Sequence, residues 1–275
     1  MIKTVKELFK YRQLIITLVS RELKARYRGT FFGFLWSLIN PLLLLAVYSV
    51  VFGIILPGDS GKVEMKDIKG INYSIFLFTG LLPWIWFNTS VLEASNVLFA
   101  HGNLIKKISF PVEVLPIMSV ITNMIHFVLG LPILIIFIMA FGQGSVRLTP
   151  WILLLPIAII AQFIFMMGFS FLVSALTVHF RDLKDILTNL LTLWFFGTPI
   201  IYAFGAKSIQ AHKALVWVLN LNPMTHIIEA YQYIFFFGSL PHYKRLGVTV
   251  IVGLIMLYLG YMFFDKLRDT FVEEV

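Results

Sequence analysis

Residues 112–141 read VEVLPIMSVITNMIHFVLGLPILIIFIMAF and contain one acidic residue, Glu113, and no lysine or arginine. A helix of about 20 apolar residues is long enough to cross the hydrocarbon core of a bilayer. The stretch therefore predicts a membrane-spanning helix. Five more stretches have the same character, at 31–56, 74–98, 151–178, 186–205 and 247–265. All 22 Lys and Arg fall outside the six stretches, so we predict an all-α membrane protein with six transmembrane helices.

The composition supports this class of protein. Of the 275 residues, 59% are hydrophobic and 13% are charged, whereas a soluble domain carries about 25% charged residues. The chain has no cysteine, which excludes disulfides and thiolate metal sites, and its six histidines show no metal-binding spacing. The first apolar stretch, 14–19, is too short for a signal peptide, so we expect no cleavable signal.

The distribution of basic residues predicts the orientation in the membrane. Residues 1–30 alone carry eight Lys and Arg. If the N-terminus is cytoplasmic, the cytoplasmic segments hold fourteen and the outer segments eight. Cytoplasmic segments are enriched in Lys and Arg, so we expect both the N-terminus and the tail 266–275 to be cytoplasmic.

The N-terminal segment has the pattern of a basic amphipathic helix. When 3–28 is drawn as a helix at about 100° per residue, six basic residues share one narrow arc: Lys3, Lys6, Lys10, Arg21, Lys24 and Arg28. Apolar residues occupy the opposite side, with Arg12 and Arg26 as exceptions on or near it. Such helices lie in the headgroup plane. The pattern fits an anionic-lipid anchor and an interface for a cytoplasmic partner equally well.

The outer segment 206–246 contains no run that is long enough to span. Asn222 and Pro223 form a favourable helix start, with Asn as the N-cap and Pro at the first position, and Gly238 is a stop signal. The stretch 224–238 has the length of a re-entrant piece. We predict two short helices that dip back into the membrane and form a gate; a pair of surface amphipathic helices is the alternative.

Few ionisable groups fall at membrane depth. Glu93 and Glu229 are functional candidates, because a bare charge in lipid is costly, although a hydrogen-bonded structural role is equally open. Glu113 lies in the first turn of its span, where an acid complements the helix dipole. The chain also has 27 Phe, 10 Tyr and 6 Trp. These rings either face lipid or line a path for a bulky amphipathic substrate.

The chain shows no sign of a catalytic site or of its own motor. The sequence GDSGKV at 58–63 lacks Walker A spacing and has Val63 in place of Ser or Thr. We find no GxSxG motif and no convincing catalytic triad. We therefore expect no cofactor in this chain, and any ATP that drives it must bind to a different chain.

Four stretches, in order, resemble the membrane subunit of ABC-2-type polysaccharide exporters, which move lipid-linked O-antigen, capsule or teichoic acid polymers. The stretches are ELKARYRGTFFGFLWSLINPLLLLAVYSVVFG (22–53), NLIKKISFPVEVLPI (103–117), VHFRDLKDIL (178–187) and LNPMTHIIEAYQ (221–232). The resemblance covers essentially the whole chain and implies a single domain, 1–275. It implies a homodimer with a channel between the copies and a cytoplasmic ABC ATPase dimer that binds ATP and Mg²⁺. It also implies a bacterial inner-membrane location and membrane lipids as neighbours, with no role for nucleic acid.

The resemblance also implies roles for individual residues. The resemblance implies that the loop after the second span is the family's ATPase-coupling element. Local chemistry fits this role, because Asn103 can cap a short helix and Leu104 and Ile105 can fill a groove on the partner. The expected coupling residues are Asn103, Leu104, Ile105, Lys106, Lys107, Arg181 and Asp182. The residues themselves, rather than the resemblance, supply the candidates for a substrate path or gate: Trp84, Trp86, Phe87, Glu93, Phe195, Phe196, Tyr202, Glu229 and Tyr231. Arg26 and Arg28 are candidates for contact with a lipid diphosphate. An ABC-2 permease for a drug or small lipid, and a stand-alone lipid-linked sugar flippase, are the alternative functions.

Overall fold

The computed structural model describes residues 10–51, 55, 71–106, 110–142, 146–180 and 182–274, and within them the regular structure is helical. The helices are α1 (Arg12–Tyr27), α2 (Trp36–Val50), α3 (Ile71–Ala100), α4 (Gly102–Ile105), α5 (Val114–Phe141), α6 (Leu155–His179), α7 (Leu183–Phe196), α8 (Lys207–Gln210), α9 (Lys213–Leu221), α10 (Pro223–Phe235), α11 (Tyr243–Leu267) and α12 (Phe271–Glu274). Short 3₁₀ turns precede α2 and α6 and follow α11.

Within the described residues, five helical segments are long and apolar enough to span a membrane. They are Gly33–Val50, Asn72–Ala100, Val114–Phe141, Pro150–His179 and Tyr243–Thr270. The helix α3 lies at the centre, with 78% of its apolar window buried, and packs against α5, α6 and α10. The helix α2 lies at the periphery, with only 11% of its window buried. Five of the six predicted spans are therefore present as long apolar helices.

The helices α6 and α11 run parallel and form the most extensive helix pair of the fold. A side chain at Gly260 would overlap the backbone of Gly168, and one at Gly253 would press on the backbone of Phe165. At the ends of the two helices, Thr270 Oγ1 lies 3.5 Å from His179 Nε2. Small residues at such an interface let the two backbones approach closely, which favours helix association in lipid.

The long helices define two ends of the molecule. The proximal end carries α4, residues 110–113, His179 and 268–274. The distal end carries residues 146–149, 199–206 and 236–242. At the distal end, Tyr73 donates a hydrogen bond to the Ile201 carbonyl at 2.8 Å, and the ring of Phe76 lies 5.3 Å from that of Phe236.

The predicted fifth span, 186–205, is not one continuous helix. The helix α7 has 14 residues and ends at Phe196, so it is about 21 Å long. Pro199 explains the break, because the residue before a proline is disfavoured in the helical region. The chain nevertheless continues towards the distal end, since Trp194 packs on Phe87 near the middle of α3 and Ile201 reaches Tyr73 near its start.

The helices α9 and α10 form a hairpin whose tip, Asn222, lies near the middle of the fold. The side chain of Asn222 accepts hydrogen bonds from the Met224 N–H at 3.0 Å and from the Trp194 indole at 2.9 Å. The predicted N-cap at Asn222, with Pro223 at the first position, is confirmed. The helix α10 then runs back to the distal end, where Gly238 follows it with φ +56°, and eleven of its 13 residues are buried.

The N-terminal helix α1 packs against α5 through Leu18 and Val19, which are buried. Lys10, Arg21, Lys24 and Arg28 of the predicted basic arc are exposed, and Lys3 and Lys6 lie outside the described residues. Arg26, one of the two exceptions on or near the apolar side, turns towards the interior of the protein, where it has an acidic partner.

Candidate functional site

The proximal loop between α3 and α5 begins with the single helical turn α4. The carbonyl of His101 accepts the N–H of Leu104 at 2.8 Å and that of Ile105 at 3.2 Å. His101 is therefore the N-cap residue, and the predicted cap at Asn103 is wrong because the turn begins immediately after α3 ends. Asn103 is left exposed within the turn.

The apolar and polar residues of this loop have different surroundings. Ile105 is only 3% exposed and belongs to the protein's own core, and Leu104 packs on that core. The expectation that Ile105 fills a groove on a partner does not fit this burial. Asn103 and Lys106 face outward, as does Asp182 at the start of α7. Lys107 and Arg181 lie outside the described residues.

An ion pair joins the start of α5 to the end of α11. Arg268 Nη1 lies 2.6 Å from Glu113 Oε1, and the two residues are 155 positions apart in sequence. The Glu113 side chain is 10% exposed and the Arg268 side chain 44%. Phe271, which follows, is fully buried, with its ring 5.1 Å from that of Phe264. The helix α12 thus lies against α4 and α6, and the C-terminal segment supports the proximal loop from inside.

A polar triangle connects α1, α3 and α5. Arg26 Nη2 lies 2.6 Å from Glu93 Oε1, and Asn123 Nδ2 donates to Glu93 Oε2 at 2.6 Å. Arg26 Nη1 donates to Asn123 Oδ1 at 3.3 Å. The charge of Arg26 is therefore balanced within the protein, while Arg28 is exposed and has no ion-pair partner among the described residues. Sequence reasoning identified Arg26 and Glu93 separately and missed Asn123.

The helix α7 presents an exposed polar stripe. Its members are exposed and spaced at helical intervals: Asp185, Thr188, Asn189 and Thr192. The hydroxyl of Thr188 donates to the Lys184 carbonyl at 3.0 Å, and Thr192 donates to that of Thr188 at 2.9 Å. Exposed polar groups in a span are costly in lipid and usually face a protein or water. The stripe could have been found from the spacing within DILTNLLT, but the apolar average of the segment hid it.

At the distal end, Glu229 of α10 is buried and paired. Its Oε2 lies 3.2 Å from Arg245 Nη1 and 3.8 Å from His226 Nδ1. Arg245 also lies 5.1 Å from the centroid of the Phe204 ring. The pair fastens the hairpin to the start of α11. Arg245 was not identified from the sequence, although it is a basic residue directly before a span.

Most of the predicted path aromatics belong to the core of this chain. Trp84, Trp86, Phe87 and Tyr231 are between 0 and 5% exposed. The ring of Phe87 lies 5.2 Å from that of Trp194 and 6.0 Å from that of Phe165, so these rings join α3, α6 and α7. In this conformation they are buried within the chain, and their role in a path stays a prediction. Phe196 is 61% exposed, and Phe195 and Tyr202 are half-buried.

Among the residues that the structure describes, no group of three or more His, Asp or Glu is placed to hold a metal ion. The arrangement instead combines an outward-facing polar loop, a polar helix stripe and a buried half-helix.

Comparison with known proteins gives a consistent result. The model of the family described as ABC-2 type transporter matches residues 13–236. The chain is 40% identical to the O-antigen export system permease protein RfbA of Myxococcus xanthus over 275 residues, the full length of both. It is 32% identical to the O-antigen export system permease protein RfbA of Klebsiella pneumoniae, over 94% of each chain. It is 23% identical to the polysialic acid transport protein KpsM of Escherichia coli, over 87% of this chain and 88% of that one.

Proposed function

Because this chain belongs to the ABC-2 type transporter family, we propose that it is the membrane-spanning permease subunit of an ATP-driven exporter of a lipid-linked, O-antigen-like polysaccharide. The observation that carries the proposal is the 40% identity over the full length of an O-antigen export permease. A bacterial inner membrane is its location. The permease itself is not an enzyme; a separate cytoplasmic ABC ATPase binds ATP with Mg²⁺ and hydrolyses it.

The proposal includes six crossings with both termini in the cytoplasm. Its support is the parallel arrangement of α6 and α11, because a chain that joins two parallel spans must cross the membrane between them. The helix α7 and residues 197–203 make that crossing, from the proximal end to the level of Tyr73. The excess of Lys and Arg in the proximal segments supports a cytoplasmic location for the proximal end.

The ATPase docks at the proximal end in this proposal. Asn103, Lys106 and Asp182 are exposed there and supply polar contacts. Ile105 acts differently from the sequence expectation, since it anchors the loop in the permease core. A push on the loop is then passed directly to the packed helices.

A second copy of the chain completes the substrate path in this proposal. The exposed polar stripe on α7 lines this path in the proposal. Its polar groups support that role, because contact with hydrocarbon would be costly for them. The sparse packing of α2 also leaves a surface for a partner. The hairpin α9–α10 is an outer gate that re-enters the membrane, and the Glu229–Arg245 pair holds it in position.

Deletion of the gene in its native host tests the main proposal. We expect lipid-linked polymer to accumulate inside the cell, out of reach of an external antibody, and export to return when the wild-type gene is supplied. The protein should also co-purify with a stoichiometric ATPase from native membranes. Transport by the purified chain alone in liposomes without ATP would instead support a stand-alone flippase.

A pair of lysine variants tests the docking site. Lys106→Asp reverses an exposed charge in the proximal loop and should reduce co-purification of the ATPase. Lys213→Asp makes the same change at an exposed position of the distal end and should leave it unchanged. Equal recovery of the ATPase with both variants would remove Lys106 from the interface.

A further inference from the structure

A cavity of about 610 Å³ lies between α1, α2, α3 and α5. Its aromatic walls come from Trp36, Trp86 and Phe127. Hydrogen-bonding side chains also line it, among them Asn40, Thr89 and His126. Its volume falls in the range of small-molecule binding sites, which combine apolar walls with a few convergent polar groups.

Two polar groups of the cavity lack hydrogen-bond partners among the residues that the structure describes. Nε2 of His126 is buried and is one of them. Asn40 is exposed on a membrane-spanning helix, and no hydrogen bond from its side chain is found among the described residues. A buried polar atom without a partner is costly, and an amide at membrane depth needs a polar neighbour. A ligand with hydroxyl groups satisfies both.

The electrostatics of the cavity favour an uncharged ligand group. Arg26 lines the cavity, but its charge is balanced by Glu93 at 2.6 Å. The remaining polar lining residues are amides, hydroxyls and an imidazole. Flat aromatic faces beside amide and hydroxyl groups suit a sugar ring, which has apolar faces and a polar edge.

A second, mostly apolar groove of about 770 Å³ lies on the other side of the end of α1. Ile15, Val19 and Ile121 line it, and Lys24 and Arg28 are its two basic residues. Neither cation has an ion-pair partner among the described residues. Tyr27 lines both the groove and the cavity, so the two spaces are neighbours.

We propose that the cavity and the groove form one composite site for the lipid end of the exported polymer, an inference that rests on the proposed function. The lipid chain lies in the apolar groove, and the diphosphate meets Lys24 and Arg28, whose charges complement it. The first sugar enters the cavity, where Asn40, Thr89 and His126 bond its hydroxyls. Tyr27 lies at the junction between lipid and sugar.

The test measures binding to the permease–ATPase complex in nanodiscs with two probes. One is an isoprenoid diphosphate that carries a single N-acetylhexosamine, and the other is the same lipid diphosphate without sugar. Asn40→Leu and Thr89→Val should each weaken binding of the sugar-bearing probe about threefold to tenfold, the effect of one lost hydrogen bond. Binding of the sugar-free probe should not change. Arg28→Gln should weaken both probes.

Thr17→Val is the matched control for Thr89→Val. Thr17 also bonds its own helix, to the Gln13 carbonyl at 2.8 Å, as Thr89 does to the Ile85 carbonyl at 2.6 Å, but it lines neither space. The control should bind both probes as the wild type does. The proposed site is overturned if Asn40→Leu and Thr89→Val bind the sugar-bearing probe as tightly as the wild type does. The proposed function survives that result as long as the wild type still exports polymer. Failure of the wild type both to export polymer and to bind either probe would overturn the proposed function itself.

Discussion

The triangle of Arg26, Glu93 and Asn123 predicts a strong asymmetry between single and double substitutions. Glu93→Leu leaves the guanidinium of Arg26 without its counter-charge. Removal of one partner from a fully buried pair costs about 3–5 kcal/mol, and an exposed pair contributes about 0–1 kcal/mol. The Arg26 and Glu93 side chains are 27% and 35% exposed, so we expect a loss of about 2–4 kcal/mol in unfolding free energy.

The other two variants of this double-mutant cycle are Arg26→Met and the double variant Arg26→Met/Glu93→Leu. Both should lose less unfolding free energy than Glu93→Leu. Arg26→Met leaves Glu93 with the hydrogen bond from Asn123, so we expect a loss of about 1–2 kcal/mol. The double variant removes both charges and fills their place with apolar side chains, which is often close to neutral. We expect it to cost about 1 kcal/mol or less, which makes the coupling energy about 2 kcal/mol or more.

The assay is SDS titration of the purified variants in mixed micelles, followed by far-UV circular dichroism. Arg21→Met, on the exposed side of α1, is the control and should change stability by no more than about 0.5 kcal/mol. A double variant whose loss equals the sum of the two single losses would refute the reasoning, because two residues that do not interact give additive effects.

Three further predictions address other parts of the fold. Arg268→Glu alone should abolish ATP-dependent export, and the double variant Glu113→Arg/Arg268→Glu, which exchanges the two residues, should restore most of it. If the double variant shows no recovery in an export assay, the pair has no role in coupling. Gly260→Val should place a side chain against the backbone of Gly168 and lower the unfolding free energy by about 1–3 kcal/mol or more. Its control is Gly247→Val, because a Cβ at Gly247 meets nothing within 4 Å. Glu229→Gln should keep the gel-filtration profile of the wild type but alter export, since it weakens the 3.2 Å pair with Arg245. Wild-type export by this variant would limit Glu229 to a structural role.

The long helices could be predicted from the sequence because a bilayer demands runs of apolar residues of known length. The family resemblance drawn from four stretches is confirmed, and so is the cap at Asn222, which depends on local chemistry. The division of 186–205 could have been foreseen from Pro199 but was outweighed by the apolar average. The features that could be predicted share a cause: each depends on residues that are close together in the chain.

The contacts that build the site are of another kind. Arg26 and Glu93 are 67 positions apart, and Glu113 and Arg268 are 155 apart, so no local pattern joins them. The burial of the aromatic rings could not be read from the sequence for a related reason. A ring that faces lipid and a ring that faces another helix are equally apolar, because lipid tails and side chains are alike in polarity. Only the packing shows that Phe87 and Trp194 face each other.

The distribution of packing indicates which parts of the permease can move. The helices α3, α5, α6, α10 and α11 share one continuous core, and close-packed interiors transmit displacement rather than absorb it. At the proximal end, Ile105 holds the loop in this core, and the Glu113–Arg268 pair joins α5 to α11. In the proposed function, a push from the ATPase displaces these helices together, whereas α2 and α7 have few contacts that oppose a shift. The polar stripe of Asp185, Thr188, Asn189 and Thr192 lies on α7, so the same proposal has the path for a hydrated polymer open beside this helix.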